Sequence, residues 1–517
     1  MSFDAFARNF AEAGGRHVFG VTGGGPSLEL IDALIGAGAR YVPVGHETTA
    51  GLMAGACARQ TGRPALAVTI KGPGFINLVP ALLSNAYEGF PSVSISESYA
   101  WAHRGSRRHK WLDHRLPIRE FVRGHLGFQA DEGFFSHCWA RATAGVVGPV
   151  HVDIGALEEE SAPLASRAPV DAKLAECLTR IEAARRPAVI CGSWCLHAPA
   201  LAALRALPVP VFTTAAAKGF VPERAPNAAG VLTGAGKAVT PERALLPEAD
   251  LLVGFGLRAG ELLETGFDLP AVLFDDDALR AWPAFPSAEL GQPVCHVGAS
   301  ALEPALRALE ARAWGEAEVG AARQRLRDAL DAYAWSPARC MVVAQELLPD
   351  AVHVLDTGNF TVLGEHVLQA REPRDVLGTP NGRFMGTGIG YALGAARALP
   401  ERPVLLWIGD GGIRGFLAEL AIARDLGLPL CVCVMSDGYY GSIRGRAMAA
   451  GLDPAPVTLP PRPLAGVARV LGLQSAEVGS VDEFGAALRG FSSAKAPAVV
   501  ECRFEADDYE RLASTLR

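Results

Sequence analysis

Two short stretches constrain this chain more than any others: Gly409-Asp410-Gly411-Gly412, and Ser436-Asp437-Gly438-Tyr439, which closes the apolar run Leu430–Met435. Their aspartates stand 27 positions apart (437 − 410). The pattern predicts a strand ending in a carboxylate-bearing turn, a crossover helix, and a second strand that delivers a second carboxylate. In a parallel sheet both carboxylates emerge on the carboxyl-terminal edge, where ligands bind. A divalent cation shared by Asp410, Asp437 and a backbone carbonyl is the natural occupant, with Mg²⁺ keeping part of its octahedron for phosphate oxygens.

Further motifs follow in a fixed order: Val42-Pro-Val-Gly-His-Glu47, Thr61-Gly-Arg-Pro64, Lys71-Gly-Pro-Gly74, Asn77, Gly148-Pro-Val-His-Val-Asp153, Asp356-Thr-Gly358 and Met385-Gly-Thr-Gly388. With the paired aspartates, this series resembles the thiamine diphosphate enzymes of the acetolactate synthase and 2-oxo acid decarboxylase superfamily, over nearly the whole chain. The resemblance implies thiamine diphosphate and Mg²⁺ as cofactors. It also implies a homodimer or homotetramer whose active sites lie between the first domain of one subunit and the third of its partner.

The βα rhythm supports the α/β class. Segments alternate between helix-like and strand-like up to about residue 165, which predicts a doubly wound parallel sheet. The Glu-, Ser- and Pro-rich stretch 159–169 reads as a linker. A second unit carries the strands Arg186–Gly192, Val209–Thr214 and Asp250–Gly256 and leaves through a helix over Ala301–Tyr333; the rhythm resumes from about 335. Three doubly wound parallel-sheet domains are therefore expected: 1–165 (pyrimidine-binding in the resembled family), 170–325 (middle) and 335–517 (diphosphate-binding). A chain of 517 residues is too long for one core and fits about three domains.

The formal net charge of −7, with no basic run interleaved with aromatics, gives no reason to expect nucleic-acid binding. No secretory signal and no apolar stretch of bilayer length is seen, so a cytoplasmic protein without membrane partners is expected. Cys431 and Cys433 alternate within an apolar strand, which reads as buried thiols.

Within the resemblance, Glu47 hydrogen-bonds the cofactor's pyrimidine ring; physically, a carboxyl in an apolar interface has a raised pKa and shares a proton at neutral pH. Asp410, Asp437 and the Tyr439 carbonyl are the expected metal ligands, with Asp437 standing where Asn is more usual. Gly358 and Asn359 present a backbone and a side-chain amide to the diphosphate, while Gly409, Gly411 and Gly412 permit close backbone approach at a helix start. Met385 matches the bulky residue that props the cofactor in a bent conformation. Lys71 replaces a small hydroxyl residue and is a candidate for holding a substrate anion; His114, beside Asp113, is a candidate proton relay. The basic loop His103–Arg108 reads equally well as solvent-exposed.

The expected activity is thiamine diphosphate-dependent decarboxylation of a small-molecule 2-oxo acid, with or without carboligation to a second carbonyl. The alternatives are acetolactate synthase proper, hydrolytic cleavage of a cyclic diketone, and a catalytically silent binding protein on the same fold. Gly441-Ser-Ile-Arg-Gly-Arg446 lacks the Gln-Trp pair that acetohydroxyacid synthases use for the second 2-oxo acid. In the middle unit, Gly192-Ser-Trp-Cys-Leu-His and Gly254-Phe-Gly-Leu-Arg258 keep a glycine outline without establishing a flavin (FAD) site.

Overall fold

Short apolar runs punctuated by glycine form three six-stranded sheets in the computed structural model, which describes residues 2–99, 109–155, 174–258, 260–263, 269–274, 296–297 and 302–517. The first sheet comprises β1 (His17–Gly20), β2 (Arg40–Pro43), β3 (Ala65–Thr69), β4 (Ser92–Glu97), β5 (Gly124–Gly127) and β6 (Pro149–Ile154), in the order β2-β1-β3-β4-β6-β5. The middle sheet comprises β7 (Pro187–Cys191), β8 (Val211–Thr213), β9 (Ala228–Val231), β10 (Leu251–Phe255), β11 (Ala271–Phe274) and β12 (His296–Val297), in the order β12-β11-β10-β7-β8-β9. The third comprises β13 (Val352–Leu355), β14 (Val376–Gly378), β15 (Val404–Gly409), β16 (Leu430–Ser436), β17 (Gln474–Val478) and β18 (Ala498–Arg503), in the order β14-β13-β15-β16-β18-β17. Every pairing is parallel.

The first and third sheets thus share one strand order without a close sequence repeat. In each, the order reverses between the first strand and the third, β1/β3 and β13/β15. At such a switch point the loops part on the carboxyl-terminal edge and leave a crevice. Asp356-Thr-Gly358 follows β13 and Asp410 follows β15, so the third crevice is walled by the motifs singled out above.

One apolar core runs through the first and third domains. The helix Glu47–Thr61 is buried on nearly all sides and crosses the helix Gly388–Ala398, which is what an all-round apolar helix requires. Glycine makes the crossing close: a Cβ at Gly394 would lie 2.5 Å from the Met53 carbonyl oxygen. The Tyr391 hydroxyl lies 2.8 Å from Ser84 Oγ and donates to Asn85 Oδ1 at 3.1 Å, so the junction also carries satisfied polar groups.

Two expectations are corrected. The helix expected over Ala301–Tyr333 is two helices, Leu302–Glu310 and Glu316–Asp331. Gly315 takes φ +94°, and Trp314 is anchored by its Nε1–H on the Pro187 carbonyl at 2.7 Å, so the chain must turn there. The crossover between the two aspartates is not one helix but the 3₁₀ turns Gly412–Gly415 and Leu417–Leu420 followed by the short helix Ala421–Asp425. Three glycines within Gly411–Gly415 weaken helical propensity there.

The linker 159–169 and the loop His103–Arg108 lie outside the described residues. Among the described residues all nine cysteines are free and buried, and no helix is long and apolar enough to cross a membrane.

Candidate active site

The crevice at β13/β15 is a cavity of about 360 Å³ that brings together Gly358, Asn359, Met385, Gly409, Asp410, Gly411, Gly412, Asp437 and Tyr439. Parallel pairing of β15 with β16 sets Gly409 opposite Met435, so Asp410 and Asp437 leave the same edge one and two residues later. Gly438 turns the chain with φ +80°, and its N–H donates to Asp410 Oδ2 at 3.0 Å. The Tyr439 N–H donates to Asp437 Oδ1 at 3.0 Å, and the Ser442 hydroxyl donates to Asn359 Oδ1 at 2.9 Å.

Burial pushes the Asp410 carboxyl up to about 6. Burial, reinforced by the charge of Asp410, pushes Asp437 up to about 7. Two partly desolvated acids repelling one another across a cavity are a donor set whose charge a divalent cation would compensate. The glycines around them are sterically required. A Cβ at Gly412 would lie 2.6 Å from Asp356 Oδ2, one at Gly411 2.6 Å from the Tyr440 ring, and one at Gly441 2.8 Å from Asp437 Oδ2. These residues therefore fit a group bearing a metal-bound phosphate chain.

The anion-favouring helix start differs from the expected one. Gly412 opens only a 3₁₀ turn, whereas Gly358 caps the two-and-a-half-turn helix Asn359–Val367, whose first amides carry the larger dipole. Asp356, fully buried at the end of β13, accepts from the Gly386 and Gly388 N–H groups at 2.9 Å each and so straps down the loop that carries Met385. Burial pushes its carboxyl up to about 7. Met385 itself is half exposed at the mouth, not packed into the sheet edge.

The first-domain candidates sit apart from this cavity, whose lining includes no residue of the first domain. Glu47 begins the helix Glu47–Thr61, immediately after its cap His46, whose Nδ1 accepts from the Thr48 N–H at 3.2 Å. Its carboxylate is 7% exposed; Oε2 accepts from Asn77 Nδ2 at 3.0 Å, and Oε1 has no hydrogen-bond partner among the described residues. Asn77 is held in turn by its carbonyl, which accepts from Thr48 Oγ1 at 2.5 Å. Asn77 stands out in the sequence only as a motif member; its grip on Glu47 spans 30 positions and needs the fold.

Lys71 and His114 are both engaged. Lys71 Nζ donates to Glu97 Oε2 at 2.8 Å, and Glu97 Oε1 accepts from the Ser27 hydroxyl at 2.6 Å. Burial opposes ionisation of Glu97, yet the hydrogen bonds from Lys71 and Ser27 hold it below the usual carboxylate range. The Lys71 charge thus has an internal partner at the end of β4.

His114 is buried and bonds not to Asp113, which pairs with Arg115, but to Asp153 Oδ1 at 2.7 Å through Nδ1. Its Nε2 accepts the Gly72 N–H at 3.3 Å. A backbone N–H can only donate, so Nε2 is unprotonated and Nδ1–H donates to Asp153. With both nitrogens hydrogen-bonded, His114 fixes the loop Lys71–Gly74. Asp153 also takes His125 Nε2 at 2.9 Å, with His151 Nε2 at 3.4 Å. His151 and Asp153 stand in the motif Gly148–Asp153, but their meeting with His114 and His125 spans 28 to 39 positions and needs the fold.

In the middle domain the strand order reverses between β7 and β10. Glu261 fills the place there that an anion would take: its Oε1 accepts from the Ser193 N–H at 2.8 Å and lies 3.4 Å from Arg258 Nε.

Three family descriptions match the chain: the thiamine pyrophosphate enzyme N-terminal TPP binding domain over residues 2–118, the central domain over 174–280 and the C-terminal TPP binding domain over 356–502. A probable 2-ketoarginine decarboxylase of Pseudomonas aeruginosa is 31% identical, across 89% of this chain and 85% of the relative. The acetolactate synthase isozyme 1 large subunit of Escherichia coli is 26% identical across 97% and 94%, and a 2-hydroxyacyl-CoA lyase of Oryza sativa subsp. japonica 27% across 95% and 93%. Paired aspartates on one sheet edge, a glycine cradle beside them and these matches lead to one conclusion: the chain belongs to the thiamine pyrophosphate enzymes, and thiamine diphosphate is its cofactor.

Proposed function

We propose that the chain decarboxylates a 2-oxo acid, with proton uptake or carboligation to a second carbonyl as the fate of the remaining acyl unit. The observation that carries this reading is the cavity in which Asp410, Asp437, Gly358 and Asn359 converge. Asp410, Asp437 and the Tyr439 carbonyl would hold Mg²⁺. Gly358, Asn359, Gly409, Gly411 and Gly412 would hold the diphosphate, and Met385 would prop the cofactor from the loop that Asp356 secures. Bound thiamine diphosphate supplies an electron sink for loss of CO₂.

The chain's own residues then have distinct tasks. Glu47 offers Oε1 to the cofactor's pyrimidine ring, while Asn77 fixes its orientation. His114 acts by positioning: it holds Gly72, hence the turn that puts Gly74 beside Glu47. Lys71 and Glu97 meet the substrate as a pair that both donates and accepts. Since Glu97 already compensates the Lys71 charge, a substrate with a polar or cationic far end suits this pair better than the anionic one expected from Lys71 alone. The 2-ketoarginine named for one relative is such a compound.

Glu47 and the metal-binding cavity are not joined within one chain, which supports a homodimer, or a dimer of dimers, with each site completed by a second copy. The buried free thiols suit a reducing, cytoplasmic compartment. The decisive assay adds thiamine diphosphate and Mg²⁺ to apoenzyme and measures CO₂ and 2-hydroxyketones from a panel of 2-oxo acids that includes 2-ketoarginine and pyruvate. CO₂ from a polar-ended acid supports the proposal; acetolactate from pyruvate alone would favour the synthase reading, and no CO₂ from any acid would end both.

A further inference from the structure

A second cavity, of about 490 Å³, lies between the middle and third domains. Leu326, Leu330 and Val342 form an apolar wall, and the buried Glu223, Glu365 and His366 also line it. Four arginines, Arg224, Arg323, Arg327 and Arg339, line it as well. The buried carboxylates are already compensated: Lys218 Nζ donates to Glu223 Oε1 at 2.6 Å, and Arg383 Nη2 to Glu365 Oε1 at 2.7 Å. Of the other charged residues that line it, Arg224, Arg327, Asp331 and Glu346 are exposed at the rim, and Arg323 and Arg339 are partly buried. Arg323 donates to the Ala225 carbonyl at 3.0 Å and is attracted by the Glu223 charge, and Arg327 Nε donates to Gln324 Oε1 at 3.2 Å, a neutral partner. The side chains of Arg224 and Arg339 have no hydrogen-bond or ion-pair partner among the described residues. With Lys218 and Arg383 counted against the two buried carboxylates, four arginines face two exposed acids beside an apolar wall, and a space of small-molecule size so lined suits an anion with an apolar body.

We propose that this cavity binds a small organic anion, a carboxylate or phosphate carried on an apolar body, and that its occupancy is felt at the cofactor cavity. The route is short. Glu365 and His366 stand near the end of the helix Asn359–Val367, whose beginning lines the cofactor cavity. Glu365 also holds Arg383, two residues before Met385, and Arg383 sits at φ +49°, a conformation that this ion pair helps to hold. A ligand that moves either end of this helix changes the geometry offered to the diphosphate.

The test titrates phenyl phosphate and benzoate separately into the thiamine diphosphate and Mg²⁺ holoenzyme by calorimetry, comparing wild type with the double variant Arg224→Gln/Arg339→Gln. Saturable binding of at least one probe, weakened roughly ten-fold in the variant, is expected; the tighter probe identifies the head group. With that probe present, the thiamine diphosphate Kd, read by tryptophan fluorescence, should change roughly three-fold in wild type and remain unchanged in the variant. The variant excludes simple competition, since its cofactor cavity is intact. No saturable binding, or equal binding in wild type and variant, would overturn the site. Binding that leaves the thiamine diphosphate Kd unchanged would overturn the coupling.

Discussion

The role proposed for Glu47 rests on one of its oxygens being held and the other not. Asn77 fixes Oε2, so the carboxylate's orientation is set in advance, while Oε1, beside Gly74, has no hydrogen-bond partner among the described residues. Glu47→Gln keeps an acceptor for Asn77 but loses the exchangeable proton. Turnover should fall by roughly 10²–10⁴-fold, while the unfolding midpoint stays close to wild type. The pair Lys71–Glu97 differs, because here burial makes the charges interdependent. Lys71→Met leaves Glu97 buried without its cation and should destabilise the protein by about 2–3 kcal/mol; adding Glu97→Gln should recover most of that, as a urea-unfolding double-mutant cycle would read. Equal, additive losses would mean that the pair contributes nothing by its contact.

At the scale of elements, the His-Asp cluster ties β5 and β6 to the residue that holds the Lys71–Gly74 loop. Burial pushes the His151 imidazole down to about 4, against an ordinary 6.5, so the unfolded chain binds its proton more readily than the folded one. Stability from this group is therefore complete above the unfolded value and is lost as pH falls from about 6.5 toward 4. Between pH 7 and pH 5 the loss should be about 2 kcal/mol, seen as a fall in the melting midpoint that is smaller in His151→Gln. A second element-scale prediction concerns the helix crossing: Gly394→Ala drives a methyl into the Met53 backbone and should cost about 1–3 kcal/mol by the same melting measurement. What the sequence made legible were the elements governed by local pattern. The apolar runs that became β13, β15 and β16, and the glycines and aspartates at their ends, lie on one sheet edge because parallel pairing leaves no other arrangement. What it hid were partners chosen across the fold: Glu97 for Lys71, Asp153 in place of Asp113 for His114, Asn77 for Glu47. The turn at Gly315 and the 3₁₀ crossover were hidden for another reason, since an anchored tryptophan and clustered glycines override helical periodicity.

For the whole molecule, the repeated strand order places one ligand-binding edge in the first domain and another in the third, and the shared core fixes both in each chain. The cavity around Asp410 and Asp437 draws no residue from the first domain of its own chain, so the account requires a second copy to bring Glu47 to it. Mixing two inactive variants tests this most directly. Glu47→Gln and Asp410→Ala chains, unfolded and refolded together, form hybrid dimers in which one site has both defects and the other has neither. With equal mixing, CO₂ release should recover to roughly a quarter of wild type, because half of the dimers are hybrids with one intact site each. Activity no higher than that of the separate variants would contradict the account, since it would mean that each chain builds its site from its own Glu47 and Asp410.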